Sequence, residues 1–249
     1  MSRPAPLPRA TAALAISELR LTLRRGENLL VTIGIPAAVL LFFAKVGIIP
    51  GLAGRPVDFL LPGAMALAVI ATGLVNLGIA TGYDRQYGVL KRLGGSPLPR
   101  SGLIAAKLAA VLAIEVVQVA LLVGVAILVL DWAPASGASP GLAVVALLLG
   151  TAAFAGLGLL LAGTLRAEAT LALANGLFLA FLMLGGIVLP IDHLPGPIAA
   201  LAALLPAAAL SDALRSALSG GGDPAPALGI LAAWAIAAIA LSTRFFRWD

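Results

Sequence analysis

The run GLIAAKLAAVLAIEVVQVALLVGVAILVL, Gly102–Leu130, decides the fold class. Lys107 and Glu115 are its only charged residues. About 20 residues at 1.5 Å each cross the roughly 30 Å of bilayer hydrocarbon. This run is therefore long enough to span with tilt, or to project beyond the bilayer. It is continuously apolar, unlike the short alternating segments of a transmembrane β-barrel. Working outward, similar runs occupy 29–49, 61–83, 141–165, 169–189 and 228–243. The whole chain is 61% hydrophobic and 11% charged. Soluble domains run nearer 45–50% apolar and about 25% charged. The expectation is an all-α integral membrane protein, a single domain over 1–249 with six transmembrane helices.

Charge sets the topology. With a cytoplasmic N-terminus, the inner segments hold Arg3, Arg9, Arg20, Arg24, Arg25, Arg85, Lys91, Arg92, Arg100, Lys107, Arg166, Arg244 and Arg247. The outer ones hold Lys45, Arg55 and Arg215. That asymmetry is the positive-inside pattern, and it places both termini in the cytoplasm. It also accounts for the sequence pI of 10.4 without invoking nucleic acid. Met1–Ala10 has no apolar core before a cleavage site and does not read as a signal peptide. The chain has no cysteine, which excludes thiolate metal sites and cysteine nucleophiles. Its one histidine, His193, lies in a loop beside Asp192 and reads as a solvated residue, with no metal site.

Two kinds of helix outside the spans are expected. Over 10–27, Ala12, Ala15, Ile16, Leu19 and Leu23 share one face, while Ser17, Glu18, Arg20, Arg24 and Arg25 lie away from it. This predicts an amphipathic helix lying in the membrane interface. Between the fifth and sixth spans, 197–205 and 207–218 are apolar but too short to cross, and Pro206 separates them. They read as re-entrant or interfacial helices on the outer side.

The first inner loop, 83–100, is the most informative connection. Tyr83, Tyr87 and Leu90 share a helical face, with Asp84, Arg85, Lys91 and Arg92 around it. Gly88 sits inside the pattern, and Pro97 and Pro99 end it. Two readings stand: a short helix docking in a groove of a partner, or a solvated loop held by positive-inside charge. Within the spans, Glu115 and Gln118 share a face one turn apart. They read either as part of a cationic-substrate path or as a buried hydrogen-bonded pair. Asn76 and Asn175 are mid-span amides that either line a substrate path or join helices. Gly78-x-x-x-Gly82 and Ala152-x-x-x-Gly156 offer small-residue faces for close packing. Asp212 and Arg215, three apart, form either an outer-gate ion pair or an exposed pair worth under about 1 kcal/mol.

Several of these segments resemble the ABC-2 type permeases, especially those of the daunorubicin and multidrug exporter kind. The inner loop carries the acidic residue Asp84, then Gly88, Leu90-Lys91-Arg92-Leu93 and Ser96-Pro97-Leu98. Lys107 stands at the family's Gly-Lys position, with Ala106 replacing the glycine. Asp58-Phe-Leu-Leu-Pro-Gly63 is similar to the family's entry to the second span. Gly185-Gly-Ile-Val-Leu-Pro190 with Leu194-Pro195 is similar to the exit of the fifth. Pro206 with Asp212-Ala-Leu-Arg215, and the terminal Phe246-Arg247-Trp248, complete an ordered agreement over nearly the whole chain.

The resemblance implies a permease subunit of an ATP-driven exporter in a bacterial plasma membrane, moving an amphipathic drug, antibiotic or lipid. It implies a second permease copy, identical or a close paralogue, and two copies of a cytoplasmic ABC ATPase. Tyr83, Asp84, Arg85, Tyr87, Gly88, Leu90, Lys91 and Arg92 would form the coupling helix that docks on that ATPase. No Gly-x-x-x-x-Gly-Lys-Ser/Thr occurs, so ATP and Mg belong to the partner and this chain is not itself an enzyme. A secondary transporter would need coupling groups near the midplane, where Glu115 stands alone, and the chain shows no clear repeat. A non-transporting assembly factor is the other alternative. An intramembrane enzyme lacks its base and ligands.

Overall fold

A computed structural model describes residues 6–24, 26–46, 54–94 and 100–246, and among these the regular structure is helical. Residues 47–53, Ser96-Pro97-Leu98, Pro99, Arg3, Arg25 and Arg247-Trp248 lie outside the described residues. In chain order the helices are α1 (Leu7–Arg24), α2 (Gly26–Val46), α3 (Pro56–Val69), α4 (Leu77–Gln86), α5 (Val89–Gly94), α6 (Arg100–Leu130), α7 (Pro140–Thr164), α8 (Ala167–Leu184), α9 (Gly196–Ala203), α10 (Pro206–Ser219) and α11 (Ala225–Phe245). A π-helical segment, Ile70–Asn76, joins α3 to α4 without a break, so Pro56–Gln86 is one helix of 31 residues.

Among the described residues, five helices are long and apolar enough to cross a membrane: Pro56–Gln86, Gly102–Leu130, Pro140–Thr164, Ala167–Leu184 and Ala225–Phe245. Thr32–Val46 of α2 is a shorter apolar helix. The helices α9 and α10 meet at 76°, and they count as a sixth crossing only if taken together. Pro206 opens α10 at its first position, where a missing N–H costs nothing. The fifth predicted span, drawn over 169–189, stops at Leu184, because Gly186 turns the chain at φ +62°.

The small residues decide who packs where. Within hydrocarbon there is little hydrophobic gain from helix association, so close van der Waals approach must supply it. The centre is α7, which packs against α11, α4, α10 and the π segment. A Cβ on Gly158 would lie 2.5 Å from the Gly73 carbonyl oxygen, and one on Gly156 would lie 2.8 Å from the Ala238 Cβ. Gly78 of the expected small-residue face meets Gly158, while Gly82 faces Ala167 and Thr170. The window of Pro56–Gln86 is 89% buried, against 28% for α8 and 22% for α11. The long helix is therefore internal, and α8 and α11 form the rim.

Overpacking a close helix contact costs about 1–3 kcal/mol. Gly158→Ala is expected to lower the melting temperature of the purified chain in detergent. Gly124→Ala, with nothing within 4 Å of the added methyl, should leave it unchanged or raise it slightly.

Candidate functional site

At one end of the bundle, α4 stops at Gln86 and the chain turns through Tyr87 and Gly88 into α5. The expected helix through Gly88 is thus two helices with a knuckle between them. Gly88 has φ +70°, a conformation that costs an L-residue about 1–2 kcal/mol. A Cβ there would meet nothing within 4 Å, so the requirement for glycine is conformational. The Gly88 N–H donates to the Arg85 carbonyl, and the Arg92 N–H donates back to the Gly88 carbonyl.

The eight residues expected in a docking helix separate by environment. Tyr87 is 69% exposed, and Lys91 and Arg92 are exposed beside it. The Tyr83 and Tyr87 rings stack, with centroids 6.0 Å apart and planes 20° from parallel. Leu90 is 0% exposed, so it anchors α5 to the bundle and presents no surface. Arg85 turns inward as well: its guanidinium donates to Ala162 O at 2.8 Å and Leu165 O at 2.7 Å. Those carbonyls are orphans of the α7 C-terminus, where a cation is favoured. Gln86 Nε2 donates to Glu168 Oε1 at 2.9 Å, tying the same corner to α8.

Asp84 belongs to an ionic node that sequence reasoning missed. Lys107 of α6 is 2% exposed, and its Nζ lies 2.9 Å from Asp84 Oδ2 and 3.0 Å from Glu18 Oε1. The sequence pattern puts Glu18 on the outward polar face of α1. It faces α6 instead, while Ile16 and Leu23, of the apolar face expected to meet the membrane, are 51% and 53% exposed. The reason is energetic: an ammonium as buried as Lys107 requires a partner, and Glu18 and Asp84 together provide two.

In mid-bundle a cavity of about 320 Å3 lies between α2, the π segment, α4 and α8. Asn76 and Asn175 both line it, with Thr32, Val75, Tyr83 and Phe178. Glu115 and Gln118 do not. Gln118 Oε1 accepts from the Thr72 hydroxyl at 2.9 Å, and its Nε2 donates to Thr32 O at 3.0 Å. Gln118 thus joins α6 to α2 and to the π segment. Glu115 accepts a short hydrogen bond from Thr151 of α7, and its Oε1 is buried with no hydrogen-bond partner among the described residues. Asn175 Nδ2 donates to Leu171 O at 2.9 Å. Nothing in the sequence announced the π segment, which turns Ala71, Val75 and Asn76 to the cavity and Thr72 to Gln118.

At the opposite end Arg215 and Asp212 meet at 2.6 Å. Arg215 also donates to the Gly186 carbonyl and stacks on the Phe59 ring, 4.0 Å from its centroid. One side chain on α10 thereby holds the start of α3 and the turn after α8. Arg55 Nη2 donates to Leu130 O at 2.9 Å, closing the end of α6.

A family model described as ABC-2 type transporter matches residues 9–219. No curated protein matches the chain significantly.

The chain has no cysteine, so single-cysteine probes report cleanly. Lys107→Met removes the cation that α1 and α4 share. In that background Ala15→Cys, half-buried on α1, should react several-fold faster with a polar maleimide than it does with Lys107 in place. An unchanged rate would show that apolar packing alone seats α1.

Proposed function

Because the chain belongs to the ABC-2 type transporter family, we propose that it is the permease subunit of an exporter energised by a separate ABC ATPase. It is a multi-pass membrane protein, and the family implies the ATPase partner. The proposal extends to direction, docking site, pairing and substrate class.

The observation that carries it is the continuity of Pro56–Gln86. This helix ends in the Tyr87–Gly88 knuckle and also builds a wall of the cavity through Ala71, Val75, Asn76, Ile79, Ala80 and Tyr83. A push on the knuckle therefore acts on the same continuous helix that shapes the cavity. Tyr87, Lys91 and Arg92 form the face offered to the ATPase, in the cytoplasm by the positive-inside pattern. Leu90 and Arg85 act behind that face, fixing the knuckle to α5's bed and to α7. The π segment is the place where the helix yields, since π turns mark functional irregularities in helices. ATP and its Mg ion sit on the partner.

The cavity is apolar apart from two amides, a threonine and a tyrosine, which suits an amphipathic molecule. Its volume is at the low end for drug-sized ligands, roughly 300–1,000 Å3. A second permease copy against α8 would enlarge it. The exposed face of α8 carries the amide Asn175 among Leu171, Leu179 and Met183. An amide facing lipid is unfavourable, and a second copy would cover it. Asp212 and Arg215 then hold the outer end closed.

Reversing Lys91 and Arg92 to glutamate should reduce ATPase co-purification about tenfold or more while the chain still inserts in the membrane. Tyr87→Ala should weaken it comparably, since exposed tyrosines and arginines dominate interface energies at about 2 kcal/mol or more each. A chain that purifies without an ATPase at any detergent strength would favour a secondary transporter or an assembly factor.

A further inference from the structure

A second cavity, of about 200 Å3, lies between α1 and the α4–α5 knuckle and takes no part in the docking face. Its apolar wall is Leu14, Leu21, Val89 and Leu93, and its polar wall includes Ser17, Thr22, Glu18 and Asp84. The two carboxylates share the single ammonium of Lys107. Among the described residues that line the cavity, this leaves formally one negative charge. Lys107 is 2% exposed, whereas the side chains of Glu18 and Asp84 are 20% and 25% exposed. A visiting group therefore meets the carboxylates and not the lysine.

We propose that this cleft binds a protonated primary amine carried on an apolar chain. The cation completes the charge that Lys107 leaves unbalanced, and its N–H groups donate to Glu18 and Asp84. The chain lies along Leu14, Leu21, Val89 and Leu93. Size limits the occupant: 200 Å3 is below the roughly 300–1,000 Å3 of a drug-sized pocket. The cleft takes a head group, and the chain continues outside it. An aminophospholipid and a free alkylammonium amphiphile share this chemistry. Asn76 and Ala80 line both this cleft and the 320 Å3 cavity, so an amine bound here sits behind the wall of the larger chamber. The placement of the cleft at inner-leaflet level rests on the cytoplasmic assignment of the knuckle. The binding chemistry does not.

The test uses the full chain, purified in mild detergent without ATP or ATPase, so its failure leaves the permease reading standing. Native mass spectrometry would compare retained phosphatidylethanolamine, phosphatidylcholine and phosphatidylglycerol. A separate titration would use dodecylammonium against dodecyltrimethylammonium, which has no N–H to donate. Preferential retention of phosphatidylethanolamine, reduced about tenfold by Glu18→Gln, supports a lipid occupant. Dodecylammonium binding alone, with the same sensitivity, supports a free amphiphile. Equal retention of the three lipids with no preference for dodecylammonium overturns the proposal. Should Glu18→Gln destabilise the chain, Leu21→Trp fills the cleft from its exposed rim. Amine binding unaffected by that variant also overturns it.

Discussion

Hydrocarbon gives an apolar side chain no reason to leave lipid for protein, so this bundle depends on how closely its backbones approach. The place where that requirement is met is α7. Gly150, Gly156 and Gly158 admit Leu210, Ala238 and Gly73 at distances that no side chain would allow. Each of these neighbours sits on a different helix: α10, α11 and the π segment. Around this spine the polar contacts are few and specific. Gln118 and Glu115 reach across from α6, Arg85 closes the end of α7, and Arg215 closes the far end of the bundle. Because every one of these groups is wholly or largely buried, each fixes a register that lipid-facing leucines leave undetermined.

The same constraint separates the surface that the end of α4 presents from the groups that hold it in place. The knuckle at Gly88 offers Tyr87, Lys91 and Arg92 outward, while Leu90 and Arg85 point back into the bundle. The knuckle is tied to α7 through Arg85 and to α6 and α1 through Asp84 and Lys107. The long helix above the knuckle changes from α to π over Ile70–Asn76, at the level of the cavity.

Much of the architecture was legible because hydropathy is coarse and length-limited. Runs of about 20 apolar residues and Pro206 carry one meaning in lipid, whereas the turn at Gly185-Gly186 was hidden inside an apolar run drawn on to residue 189. The ordered agreement from Asp58 to Arg215 made the family readable too. Orientation of individual side chains was less accessible. Glu18 looks solvent-facing in sequence because the period of α1 is ambiguous, with Leu14 and Leu21 off the apolar stripe. Only the position of Lys107 across the bundle shows why Glu18 turns inward. Leu90 reads as a surface residue on a helix that runs straight through Gly88, and the positive φ there rotates Val89–Gly94 out of that register, while Arg85, before the turn, is drawn inward by the open carbonyls at the end of α7. Asn76 and Asn175, far apart in sequence, meet one cavity, whereas Glu115 and Gln118, adjacent on one helix, are taken up by helix contacts. Sequence spacing places residues on a face but does not say which neighbour that face meets.

A π turn is what a single inserted residue produces in an otherwise regular α-helix. Winding the same seven residues, Ile70–Asn76, as ordinary α turns would rotate Tyr83–Gln86 by about 100° against Pro56–Val69. Arg85 would then leave the end of α7, and Asp84 would leave Lys107. The wider turn thus absorbs a surplus residue and keeps each half of the helix in phase with its own neighbours.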